Sequence, residues 1–113
     1  VPPITVQALA SHLEKSLNRS PLVLGEQTKT VSRLAWCSGA AEDFFEEAIA
    51  MGADAYISGE ATERTTHLAR EMHVPFLVCG HHATERLGIK ALSDWLGENH
   101  GLECIFVDDE NPI

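Results

Sequence analysis

No apolar run in this 113-residue chain approaches the roughly 20 residues that a membrane-spanning helix needs, and the first residues do not read as a signal peptide. A helical membrane protein is excluded and a cytoplasmic one expected. Positive charge is scarce: 8 Lys and Arg stand against 17 Asp and Glu, for a net charge of −9, with no basic cluster. A nucleic-acid backbone would be repelled, so that class of partner is not expected. Cysteine is sparse too. Cys37, Cys79 and Cys104 are far apart, and no C-x-x-C pair is present. That argues against a zinc ribbon or a redox dithiol and reads as free, buried thiols in a reducing compartment. There is no P-loop, no internal repeat, no low-complexity tract and no linker. An initiator methionine is also lacking. The opening Val1-Pro2-Pro3 reads as the start of a piece of a longer protein.

The composition that remains, 44% hydrophobic and 22% charged, suits one globular domain spanning residues 1–113. Val6, Leu9, Ala10, Leu13 and Leu17 recur at helical spacing behind a candidate N-cap, Thr5. Strands are expected at 22–24, 31–37, 53–57, 74–79 and 103–107. Between them lie three helical patterns: one after Ser38-Gly39 with Phe44, Phe45, Ala48 and Ile49 inward, one opening at Gly59 or Glu60 with Ala61, Thr65, Leu68 and Met72 inward, and one from about His82 to Glu98. From Val31 onward the order is β-α-β-α-β-α-β. It predicts an α/β fold with a mixed or mainly parallel sheet of four to five strands, packed with helices. Trp36 and Trp95 are assigned to core packing or a subunit contact.

Three strand ends then share one rim: Cys37-Ser38-Gly39, Ser58-Gly59-Glu60 and Gly80-His81-His82. Each pairs a glycine with a polar or reactive side chain, at the edge where open α/β sheets place ligands. His81 and Glu85 are four residues apart at a helix start, so imidazole and carboxylate lie on one face and can reach the same metal ion. Glu85 also heads a stripe through Ile89, Leu92 and Leu96 that reads as a buried face. The bland alternative is an exposed first turn, with Glu85 favoured by the helix dipole.

Glu60 carries two readings. It is a general base or supporting carboxylate at the rim, or it pairs with Arg64 in a solvated stripe with His67 and Glu71. Cys37 precedes a helix start, where a thiolate can be activated, although a small core residue is the commoner case. His82 is read as capping the turn rather than ligating. His12, His67, His73 and His100 are read as surface side chains.

Arg33-Leu34-Ala35-Trp36-Cys37-Ser38-Gly39, Gly52-Ala53-Asp54-Ala55-Tyr56-Ile57-Ser58-Gly59-Glu60 and Gly80-His81-His82-Ala83-Thr84-Glu85-Arg86, taken in order, resemble the GTP cyclohydrolase 1 type 2 homologue family, which includes the YbgI-type dinuclear-metal proteins. The ending Phe106-Val107-Asp108 with Asn111-Pro112 is similar as well. The likeness covers essentially the whole chain and corresponds to the C-terminal half of a member. It implies a cytoplasmic protein with two divalent metal ions between two similar α/β halves, assembled into ring-like hexamers. The histidine and glutamate of the family's G-H-x-x-x-E motif, both metal ligands, fall on His81 and Glu85. The remaining ligands, a histidine pair and an aspartate, belong to the other half and have no counterpart here. Weak metal binding is therefore expected of this piece, together with a lack of activity on its own and self-association as a dimer. For the whole protein the resemblance implies a metal-dependent hydrolase acting on a nucleotide or related heterocycle, with Glu60 moving protons. The alternative is a non-catalytic metal-binding or assembly module.

Overall fold

Thr5 closes a two-residue strand, β1 (Ile4–Thr5), and its hydroxyl accepts the Ala8 N–H at 3.2 Å to cap α1 (Val6–Leu17). The computed structural model describes all residues, 1–113. Asn18, left-handed at φ 54°, ends α1, and β2 (Leu22–Leu24) follows. The stretch expected as one strand at 31–37 is two. β3 (Thr30–Val31) pairs antiparallel with β1, whereas β4 (Leu34–Trp36) pairs parallel with β5 (Ala55–Ser58). The break falls where the Ser32 and Arg33 N–H groups donate to the Asp54 carboxylate, at 2.8 and 3.1 Å, instead of to a strand. Burial pushes the Asp54 carboxyl up. Those backbone hydrogen bonds and the charge of Lys29 outweigh it and leave the group below the usual carboxylate range.

A 3₁₀ turn (Glu42–Phe44) leads into α2 (Phe45–Ala50). α3 (Glu63–Glu71) comes after β5, and β6 (Phe76–Val78) precedes α4 (His81–His100). The main sheet is mixed and four-stranded, in the order β2-β6-β5-β4. β4, β5 and β6 run parallel, and β2 lies antiparallel on β6. β5 is central and buried on both faces, as its run Ala-Tyr-Ile-Ser requires. Ile57, Leu77 and Cys79 meet α1 residues Val6, Leu9 and Leu17 and the α4 residue Ala83 on one face. Tyr56 and Phe76 meet Phe45, Ala69 and Val74 on the other. There Phe45 stands edge-on to Phe76, with ring centroids 5.0 Å apart.

Four expectations are corrected. First, residues 103–107 form no strand. They have no assigned element, and Ile105 and Val107 are 79% and 84% exposed. Second, the stripe Ile89, Leu92 and Leu96 is not a buried face. The sheet ends near the first turns of α4, where Ala83 is the one buried residue, and the helix runs on past it with Ile89 and Leu92 exposed and Leu96 half-buried. The molecule is accordingly elongated, 50 × 29 × 24 Å. Third, Phe44 and Met72, expected inward, are exposed, and of the two readings of Trp36 and Trp95 core packing falls away, since both are exposed. Fourth, only Cys79 is a buried thiol, while Cys37 and Cys104 are exposed. For α4, periodicity marks the apolar side of the helix and not whether another element covers it.

The cysteines give a direct check. Burial pushes the Cys79 thiol up to about 11, with the nearby Arg19 charge opposing only in part. We expect a thiol reagent at neutral pH to label Cys37 and Cys104 in the native chain, and Cys79 only on unfolding. Rapid labelling of all three would show that the end of β6 opens in solution.

Candidate metal centre

The ends of the three parallel strands are stapled together by backbone. The Cys37 N–H donates to the Ile57 carbonyl (3.0 Å) and Gly59 to Gly39 (2.9 Å). Cys79 donates to Ser58 (2.8 Å) and Gly80 to Gly59 (2.9 Å). Gly59 has no space for a side chain. A Cβ there would lie 2.7 Å from the Gly39 carbonyl oxygen, 2.7 Å from the His81 Cα and 2.9 Å from the Gly80 carbonyl oxygen. Two hydroxyls complete the frame. Buried Ser58 Oγ donates to the Gly39 carbonyl (3.0 Å) and accepts the Ala41 N–H (3.2 Å). Thr84 Oγ1 accepts the Gly39 N–H (3.0 Å). The sequence placed Ser58 on the rim but assigned neither hydroxyl a role. Their signal was their place beside the rim glycines, a small hydroxyl residue just before Gly59 and another one turn after Gly80.

Glu60, His81 and Glu85 converge on this frame. Glu60 Oε1 lies 2.5 Å from His81 Nδ1, and Glu85 Oε1 lies 3.2 Å from His81 Nε2, so one imidazole carries a carboxylate at each nitrogen. The hydrogen bond to Glu60 raises the His81 pKa above the ordinary histidine range. Desolvation opposes, and the Glu85 and Glu60 charges add to the rise. The Arg64 alternative for Glu60 falls away, because Arg64 pairs with Glu46 across the α2–α3 surface. α3 begins only at Glu63, so Glu60 lies before the helix rather than on it.

Cys37 ends its strand at the same rim, but its thiol lines an apolar cleft of about 300 Å³ bounded by Leu34, Trp36, Phe44, Met51 and Tyr56. His82 points away from His81. Its Nε2 meets Asp108 Oδ1 at 3.3 Å, and its backbone N–H donates to the Ile113 carbonyl (3.0 Å). Arg86 holds the other Asp108 oxygen at 2.5 Å. Partial burial pushes the Asp108 carboxyl up, but the His82 hydrogen bond and Arg86 outweigh it and keep it low. The acidic tail is thereby clasped against the first turns of α4. His12, His67, His73 and His100 are on the surface, as expected.

Do these residues fit a cation? Two ligands about 2.1 Å from a tetrahedral zinc ion stand roughly 3.4 Å apart. The 3.2 Å between His81 Nε2 and Glu85 Oε1 suits such a shared ion. Gly39, left-handed at φ 68°, is the neighbour of both atoms, and a Cβ on it would collide with the Glu85 carboxylate. No set of three His, Cys, Asp or Glu side chains in the chain is arranged to hold a metal ion. The residues therefore fit one side of a coordination sphere, not a whole one.

The fold agrees with comparison to known proteins. The Duf34/NIF3 (NGG1p interacting factor 3) family model matches residues 2–112. This chain belongs to that family. It is 46% identical over 113 residues to a Vibrio cholerae protein named GTP cyclohydrolase 1 type 2 homolog, covering 98% of this chain and 45% of the relative. A Yersinia pestis protein of the same name is 48% identical over 111 residues, covering 97% of this chain and 45% of the relative. The solved structure of protein ybgI, described as of unknown function, superposes with a TM-score of 0.90 at 46% identity, over 98% of this chain and 45% of that one. TTHA1606 from Thermus thermophilus gives a TM-score of 0.81 at 27% identity, over 99% of this chain and 45% of that one. The chain thus spans about half the length of the curated relatives it matches. No helix of this NIF3-family chain is long and apolar enough to cross a membrane.

Proposed function

We propose that this chain supplies one side of a dinuclear metal centre in a metal-dependent hydrolase that acts on a nucleotide or related heterocycle in the cytoplasm. The observation that carries the reading is the His81–Glu85 pair, two donors one helical turn apart with their ligating atoms 3.2 Å from each other. His81 Nε2 and Glu85 hold the cation, and the partner half of the family fold supplies the remaining ligands. When bound, the cations would lower the pKa of water and polarise the carbon it attacks. Glu60 Oε1 is engaged by His81, while Oε2 has no hydrogen bond within the protein and is the oxygen available to accept a proton. Opening of a guanine-like ring is the reaction class suggested by the relatives' name. The test is metal content and a nucleotide-hydrolysis screen on a protein carrying both halves. Metal with turnover supports the reading, and an inactive protein overturns the hydrolase.

A second reading, a non-catalytic assembly module, is favoured by the bare apolar residues Leu87, Ile89, Leu92 and Trp95 along α4. The two readings part at turnover, which the hydrolase requires and the assembly module lacks. For the isolated chain we expect a dimer, since a net charge of −9 disfavours indiscriminate clumping. Light scattering over a wide concentration range checks this, and a monomer throughout would assign the assembly contacts to the other half.

A further inference from the structure

We propose that Glu60 is a positioning residue that fixes the tautomer of His81, holding the proton on Nδ1 so that the Nε2 lone pair is kept for a cation beside Glu85. The inference rests on the reading of His81 and Glu85 as cation donors, but it concerns the chain before any cation arrives.

The two carboxylates on the imidazole are not equivalent. Glu60 is the nearer, at 2.5 Å against 3.2 Å, and its side chain is the less exposed, 41% against 53%. Its backbone is also fixed on both sides. Gly59, immediately before it, is locked by backbone hydrogen bonds to Gly39 and Gly80 and by the lack of room at its Cα. Two residues after it, the Thr62 N–H donates to Thr65 Oγ1 at 3.1 Å. Glu85 projects from the second turn of a helix whose outer face is open, and its carboxylate occupies the space beside Gly39. A neutral imidazole has one N–H to donate. It goes to the closer, fixed carboxylate, and the nitrogen facing the adaptable one becomes the acceptor. Carboxylate–imidazole–metal arrangements work in this way: the outer carboxylate orients the ring and raises its basicity, and its loss commonly weakens metal binding 10- to 100-fold. The strand β5 therefore delivers Glu60 to the far side of the ring from the cation.

Long-range ¹H–¹⁵N correlation spectra of the ¹⁵N-histidine-labelled 113-residue chain read the tautomer directly. They are recorded at a pH where His81 is neutral, with amide spectra to confirm folding. We expect an Nδ1–H His81 in the wild type and in Glu85→Ala. We expect an Nε2–H or mixed form in Glu60→Ala, and retention of Nδ1–H in Glu60→Gln, whose amide oxygen still accepts. A wild-type Nε2–H tautomer overturns the proposal, as does an unchanged Nδ1–H in folded Glu60→Ala. Zinc added to the same samples separates this claim from the one beneath it. Zinc should shift Nε2 of the wild type at a concentration about tenfold lower than in Glu60→Ala. If the tautomers behave as expected but zinc leaves the His81 nitrogens unmoved, the positioning role stands and the cation reading fails.

Discussion

Replacing either His81 or Glu85 with alanine should remove at least one equivalent of divalent metal from a protein that carries this sequence together with the other half of the family fold. Each side chain would be one of few protein donors to an ion, and losing one of three or four inner ligands opens the site to water. The 113-residue chain alone offers two such donors and leaves the remaining positions to solvent. Zinc or manganese should then bind it no more tightly than about micromolar, near −8 kcal/mol. Metal analysis after dialysis gives the stoichiometry and calorimetry the affinity. An unchanged metal content in both single variants would sink the assignment of these ligands. Nanomolar binding by the isolated chain would show that it assembles a full coordination sphere, for instance across a dimer.

Gly59→Ala should be the most damaging single-methyl change in the molecule. The added carbon meets three backbone atoms within 2.9 Å, contributed by the loop after β4 and the start of α4, and backbone cannot swing aside as a side chain can. Overpacking of this kind costs about 1–3 kcal/mol, which in a domain of this size lowers Tm by roughly 10 °C. Gly88→Ala is the matched control. Nothing lies within 4 Å of its would-be Cβ, and alanine is preferred to glycine inside a helix by about 1 kcal/mol, so that variant should melt at or above the wild type. A Gly59→Ala protein melting within a degree or two of the wild type would mean that the rim can spread. The shared frame for Glu60 and His81 would then be softer than the hydrogen bonds indicate.

The parallel core and the rim were legible because their signals are local. Ala55–Ser58 and Phe76–Val78 are short apolar runs followed by glycine, and His81 and Glu85 stand one turn apart. The pairing of Glu60 with His81 was only half legible. Strand order placed them on one rim, but the distance between them depends on Gly59 allowing three backbones to close up, which no periodicity reports. The same limit explains the split at Ser32-Arg33, set by a carboxylate 21 and 22 residues away at Asp54. It explains the missing last strand as well. Ile105 and Val107 have strand character, but a strand also needs a neighbour with free backbone groups, which local sequence does not report. The apolar stripe of α4 was read as a core face because amphipathicity tells which side seeks cover, not whether this chain provides it.

α4 is consequently a helix of unequal ends. Its first turns are held by Ala83 in the core, by Thr84 to Gly39, and by Arg86 to Asp108 and the Leu17 carbonyl. The turns after Gly88 lean on nothing comparable. Its amides should therefore exchange with solvent in a gradient, slowest near residues 84–87 and faster toward His100, because fraying at the distal end need not disturb the core. The donors His81 and Glu85 lie at the slow end. The helix can fray back by several turns while the His81 and Glu85 side chains stay in place.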